Sequence, residues 1–134
     1  MKFCIASDSH GSFSLLCRML EREQPDCLLF LGDGAEEAQR AAKLLGTACL
    51  CVAGNCDLCS PEPPARTLEQ GGVTLFMAHG HRFGVKQKEA LRKKAAQGVH
   101  SVSMSATPIP RSIAVAMYGE GTEVVNIRTL PNGR

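Results

Sequence analysis

The sequence predicts an α/β protein built on a parallel sheet, and three observations predict it. Short apolar runs alternate with helix-favouring segments, giving strand, helix, strand, helix, strand down to residue 53. The run Cys27-Leu28-Leu29-Phe30-Leu31 is apolar without a break, as a strand covered on both faces must be. Each of these runs ends in Gly or a short side chain and is followed by an oxygen or nitrogen donor. Open α/β sheets bind ligands there, beyond the carboxyl ends of their strands.

The elements follow in order. Lys2 to Ala6 read as the first strand, stopping at Ser7 before Asp8-Ser9-His10-Gly11. Ser12 is placed as an N-cap, and Leu15, Leu16, Met19 and Leu20 recur at helical spacing as far as Glu23. Gln24-Pro25-Asp26 end that helix. The second strand, Cys27 to Leu31, runs into Gly32-Asp33-Gly34. Glu36 to Leu45 are rich in Ala and favour helix, with Gly46 as the C′ residue. Ala48 to Ala53 form a third strand and lead into Gly54-Asn55-Cys56-Asp57. After a rigid loop from Pro61 to Pro64, Arg66 to Gln70 and Val73 to Ala78 flank Gly71-Gly72 as a hairpin. Its second strand opens into His79-Gly80-His81.

At 134 residues the chain is one domain by size, with 44% hydrophobic and 21% charged residues. A formal charge of +2 is too small to argue for nucleic acid or membrane. Five Phe, one Tyr and no Trp leave little for base stacking. No apolar run approaches the roughly 20 residues that span a bilayer, and Asp8 and His10 interrupt any secretory leader. Seven cysteines, several inside apolar runs, fit a reducing compartment, so the expected location is cytoplasmic. Cys49, Cys51, Cys56 and Cys59 have the number of thiols a zinc site needs. Cys49 and Cys51 read as strand residues, however, and no second C-x-x-C exists, so zinc is not expected.

Four strand ends therefore present Asp8 with His10, then Asp33, Asn55 and His79. Taken singly, each has an ordinary explanation: a capping Asp beside a surface His, a turn Asp, a turn Asn, a core His. Together they gather on one edge if the strands are neighbours. Carboxylate and amide oxygens with imidazole nitrogens suit Mn²⁺, Fe²⁺ or Zn²⁺. Two such ions about 3.5–4 Å apart clamp a phosphate and acidify a bridging water.

Asp8-Ser9-His10, Gly32-Asp33, Gly54-Asn55-Cys56-Asp57 and His79-Gly80-His81 resemble, in order and spacing, the calcineurin-like metallophosphoesterases. The likeness is especially to their small bacterial and archaeal phosphodiesterase branch, over residues 1–82. The resemblance implies a β-sandwich flanked by helices, here truncated, and a site for two divalent metals, often manganese. It implies Asp8 and His10 on the first metal, Asp33 bridging, and Asn55 and His79 on the second. His81 is the candidate proton donor to the leaving oxygen. The substrate class implied is a phosphodiester or phosphomonoester, hydrolysed by a metal-activated hydroxide. The family closes its site with a late Gly-His-x-His. Nothing after His81 supplies it, since the remaining histidine, His100, follows Val99. The expected activity is therefore impaired.

The tail, residues 83–134, has a different likeness. His81-Arg82-Phe83-Gly84-Val85, Met104-Ser105-Ala106-Thr107-Pro108-Ile109-Pro110-Arg111, Tyr118-Gly119 and Leu130-Pro131-Asn132-Gly133-Arg134 resemble the RecG branch-migration helicases. No G-x-x-x-x-G-K-[ST] phosphate loop accompanies them, so this segment cannot turn over ATP alone. The chain reads as a chimera joined near His81 to Val85. The alternative function is a non-catalytic helicase fragment associated with DNA. Within the tail, Lys86 to Gln97 favour helix, Val99 to Ser105 a strand, Arg111 to Tyr118 a short helix, and Val124 to Ile127 a strand, giving an atypical C-terminal α/β tail.

Overall fold

The computed structural model describes residues 1–82. The expectations for the tail, including His100 and the elements placed between Lys86 and Ile127, lie outside the described residues. Among the described residues seven elements follow the expected rhythm: β1 (Phe3–Ala6), α1 (Phe13–Glu23), β2 (Cys27–Phe30), α2 (Ala35–Leu45), β3 (Ala48–Cys51), β4 (Ala65–Gln70) and β5 (Val73–Ala78).

β1, β2 and β3 form a parallel sheet in that order, with Ile5 opposite Leu29 and Leu29 opposite Leu50. Alternation along the strands sorts side chains onto two faces. Cys4, Ala6, Leu28, Phe30, Cys49 and Cys51 pack with Leu16 and Leu20 of α1 and the alanines of α2. Phe3, Cys27, Leu29, Leu50 and Val52 pack on the other face with Leu68, Leu75 and Met77. The central strand β2 is buried at all four positions, which is why its sequence is uniformly apolar.

α2 approaches the sheet through Ala35, Ala38, Ala41 and Ala42, all essentially solvent-free. Side chains this small let the helix backbone come close to β2 and β3, and larger ones would overpack that layer. Gly46 closes α2 in the left-handed conformation, donating to the carbonyl of Lys43.

The hairpin β4–β5 turns at Gly71 and Gly72, both at positive φ, as a two-residue hairpin turn requires. It pairs with itself and forms a second, antiparallel sheet rather than a fourth strand of the first. The reading that places four strand ends on one sheet edge is corrected accordingly. His79 reaches the other ligands because the hairpin lies across the apolar face of the parallel sheet. The architecture is helices, parallel sheet, antiparallel hairpin: two stacked sheets with the helices outside one of them. Ser12 occupies the N-cap of α1 but makes no side-chain capping bond; its backbone N–H donates to the Ser9 carbonyl instead. Among the described residues no helix is long and apolar enough to cross a membrane.

Candidate metal centre

Three loops leave the carboxyl ends of β1, β2 and β3 side by side. The Asp8 N–H donates to the Gly32 carbonyl at 2.9 Å, and the His10 N–H to the Asp33 carbonyl at 3.4 Å. Asp8, His10 and Asp33 hold positive φ of 56°, 41° and 58°. Left-handed backbone costs a non-glycine residue energy and persists only where the surroundings impose it. Among the described residues the other such case is Gln24, the C-cap of α1.

The imposing groups are two carboxylates. Asp57 accepts four backbone N–H donors: Asp33 at 2.8 Å, Gly34 at 2.9 Å, Ala35 at 3.2 Å and Gly54 at 2.9 Å. It thereby caps the N-terminus of α2 from a distant loop and ties the second loop to the third. Burial pushes the Asp57 carboxyl up, but the four N–H groups outweigh burial and hold it below its ordinary range. Glu37, in the first turn of α2, accepts the Ser9 hydroxyl at 2.7 Å and the Gly11 N–H at 2.8 Å, which fixes the first loop. Glycines make the packing possible. A Cβ at Gly34 would collide with the Ser9 hydroxyl, and one at Gly54 with the Asp33 carboxylate and backbone nitrogen.

Asp33 is the one buried charged residue among those described, 4% exposed. Its Oδ1 accepts the Cys56 N–H at 2.8 Å. Its Oδ2 is near two imidazoles, 3.6 Å from His79 Nε2 and 4.0 Å from His10 Nε2. Asp8 Oδ1 stands 3.7 Å from the same His10 nitrogen. Donor atoms of Asp8, Asp33 and His79 lie within 4.8 Å of one another, as do those of His10, Asp33 and Cys56.

His79 is oriented by its Nδ1, 2.8 Å from the Leu31 carbonyl. Assigning the proton to Nδ1 on that contact leaves a lone pair on Nε2. That lone pair faces the Asn55 carbonyl oxygen at 3.1 Å, while the Asn55 amide N–H₂ points to the Cys56 sulfur at 3.2 Å. Two acceptors facing each other beside a carboxylate fit a cation between them. The Cys56 thiol is pushed up by its hydrogen bond with the Asp33 carboxylate, then by desolvation and the surrounding negative charge. His81 is exposed, its ring 5.2 Å from that of His79, and its Nε2 accepts from Arg82 Nε at 3.2 Å.

Asp8, His10, Asp33, Asn55 and His79 thus lie together, as their strand-end positions predict. Cys56 and Asp57 stand in a motif that sequence reading singled out, yet their contacts were not foreseen. Asp57 accepts from Gly54, three residues before it, and from residues 22 to 24 positions earlier, which is not the forward Asx-turn pattern that local sequence announces. Glu37 had only its place in the first turn of a helix. Cys49 and Cys51 sit on β3 facing the helices, whereas Cys56 and Cys59 are exposed in a loop. Those four do not gather into one metal-ligating cluster among the described residues.

A family model described as the calcineurin-like phosphoesterase superfamily domain matches residues 1–105. The chain is also similar to a solved Streptococcus pneumoniae protein described as conserved, uncharacterized and a predicted phosphoesterase. That likeness has a TM-score of 0.56 and 20% identity, covering 71% of this chain and 56% of that one. A separate similarity joins the chain to ATP-dependent DNA helicases RecG. It is 50% identical over 56 residues to that of Mycobacterium leprae, covering 40% of this chain and 7% of the relative. It is 56% identical over 54 residues to that of Thermotoga maritima, again 40% of this chain and 7% of the relative. The chain thus spans less than a tenth of the helicases it matches.

Proposed function

The chain belongs to the calcineurin-like phosphoesterase superfamily, whose members use divalent metals, and we propose that its strand-end loops form an impaired two-metal phosphoesterase site. The observation that carries this reading is Asp33. A buried carboxylate whose Oδ2 stands 4.0 Å from His10 Nε2 and 3.6 Å from His79 Nε2 suits a bridging ligand. In this reading Asp8 and His10 complete the first metal's ligands, and Asn55 and His79 the second's. Manganese is the ion we assign, since carboxylate and amide oxygens dominate the donor set. A bound divalent pair supplies Lewis acidity and a water that ionises near neutral pH.

The chain's own groups do the rest. The Leu31 carbonyl fixes the His79 tautomer, so that Nε2 is available for a metal. Asp57 and Glu37 hold the loops so that the carboxylates of Asp8 and Asp33 stay adjacent although they repel. His81 lines a shallow depression with Pro64, Ala65, Gly80 and Arg82, and carries the proton to the leaving oxygen of the ester. Without the late Gly-His-x-His each metal lacks an imidazole, so binding is loose and turnover low. The substrate is a phosphodiester or phosphomonoester. We place the protein in the cytoplasm, in keeping with seven free cysteines.

The test is Mn²⁺ titration followed calorimetrically, with hydrolysis of bis-p-nitrophenyl phosphate measured on the same protein. Binding that Asp33→Asn abolishes, together with slow Mn²⁺-dependent hydrolysis, is the expected result. A second reading rests on the RecG likeness: a non-catalytic fragment that associates with DNA, with a division of the chain at residue 82 and residues 83–134 as the helicase-like part. The 54 residues matched to the Thermotoga maritima helicase equal the length of the stretch from 81 to 134. DNA binding that weakens steeply with salt, without Mn²⁺-dependent hydrolysis, would favour that reading.

A further inference from the structure

Away from the metal centre, one pair of nucleophiles is placed for chemistry. Cys49 and Cys51 project from the same face of β3, and their sulfurs stand 3.4 Å apart in a hydrogen-bonded contact. Cys51 is sealed, 1% exposed, its sulfur against the Ala35 carbonyl. Cys49 is partly exposed. We propose that Cys49 and Cys51 are a redox-active dithiol, a modification site at which a peroxide oxidises Cys49 and Cys51 then resolves it to a reversible disulfide.

Strand geometry decides that the disulfide is reversible rather than structural. Residues two apart on a strand have Cα atoms about 6.4–6.8 Å apart, at the upper limit of the 4.4–6.8 Å range a disulfide spans. Closing the bond therefore strains it, and strained disulfides are the readily reduced ones. β3 is an outer strand of the parallel sheet among the described residues, so it can bend without breaking a ladder on its far side.

The division of labour follows from the surroundings. The Cys51 S–H directed at the Cys49 sulfur holds the Cys49 thiol below its ordinary range, against burial and the nearby Glu62 carboxylate, which push it up. The same contact pushes Cys51 well up, with burial, Cys49 and Glu62 adding to it and Arg66 opposing. Partly exposed Cys49 is thus the better thiolate and sealed Cys51 its protonated partner. In the first step the Cys49 thiolate attacks one peroxide oxygen. The O–O bond breaks, Cys49 becomes a sulfenic acid, and the departing oxygen leaves as water after taking a proton. In the second step the Cys51 sulfur attacks the Cys49 sulfur. The S–S bond forms, the S–O bond breaks, and hydroxide leaves with the Cys51 proton as a second water. Two electrons pass from the two thiols to one peroxide.

The experiment treats the fully reduced chain with one equivalent of hydrogen peroxide, alkylates the remaining thiols and digests with trypsin. The peptide spanning residues 44–66 contains Cys49, Cys51, Cys56 and Cys59, so fragmentation within it assigns each position. Expected is the loss of alkylation at Cys49 and Cys51 together, retention at exposed Cys56 and Cys59, and full recovery with dithiothreitol. In Cys51→Ser a dimedone adduct should appear on Cys49. Oxidation that instead pairs Cys56 with Cys59, or leaves Cys49 and Cys51 alkylated, overturns the proposal. The mapping on the unmutated chain decides the matter whether or not the variant folds.

Discussion

Replacing Asp57 tests the loop architecture without touching a proposed ligand. Its carboxylate accepts four N–H groups from two segments, Asp33 to Ala35 at the start of α2 and Gly54 after β3. Hydrogen bonds to a charged acceptor contribute about 1.5–3 kcal/mol each. Four sharing one partly exposed carboxylate are not additive, so Asp57→Ala is expected to cost about 3–5 kcal/mol of unfolding free energy. Asp57→Asn keeps one oxygen but turns an amide N–H₂ toward two donors, and should cost about 2–3 kcal/mol. Urea unfolding with metal chelated is the assay. The pH dependence gives an independent check. Asp57 titrates below its ordinary value of 3.8 in the folded chain. Its contribution is therefore fully present above that value and is lost as pH falls through the lower, folded one. The wild type should lose this stability in acid, and Asp57→Asn should lack that part of the acid limb. Unfolding of Asp57→Asn that matches wild type at neutral pH, with the same acid limb, would refute the reasoning.

Three further outcomes are expected. Gly54→Ala should both destabilise the fold and weaken Mn²⁺ binding measured calorimetrically, because the new Cβ collides with the Asp33 carboxylate. Phe30→Ala empties a solvent-free position in the central strand and should cost about 3–5 kcal/mol in urea unfolding, with any remaining folded protein still binding Mn²⁺. Chain purified under reducing conditions, then denatured without reductant, should titrate as seven free thiols with Ellman's reagent.

The parallel sheet and the candidate ligands at its strand ends were readable for a common physical reason. A strand buried on both faces must be apolar throughout, and chain leaving such a strand must turn polar, so Leu31-Gly32-Asp33 announces both β2 and the candidate ligand that follows it. What was not readable is what joins loops distant in sequence. Asp57 meets Asp33, Gly34 and Ala35 across 22 to 24 residues, and Glu37 meets Ser9 and Gly11 across 28 and 26. Local propensity carries no information about such partners. The fit of Gly34 against Ser9 and of Gly54 against Asp33 is likewise a property of packed loops. Hairpin residues alternate in the same way whether the hairpin extends the first sheet or covers it. The antiparallel second layer therefore had to be seen.

The central claim, an impaired phosphoesterase site centred on Asp33, is tested most directly by the turnover number on bis-p-nitrophenyl phosphate at saturating Mn²⁺, for wild type and Asp33→Asn. The account predicts slow, Mn²⁺-dependent hydrolysis by the wild type, well below the range of about 1–10³ s⁻¹ usual for enzymes, and none by Asp33→Asn. Wild-type turnover inside that range would contradict the impairment, and hydrolysis surviving in Asp33→Asn would contradict the site itself.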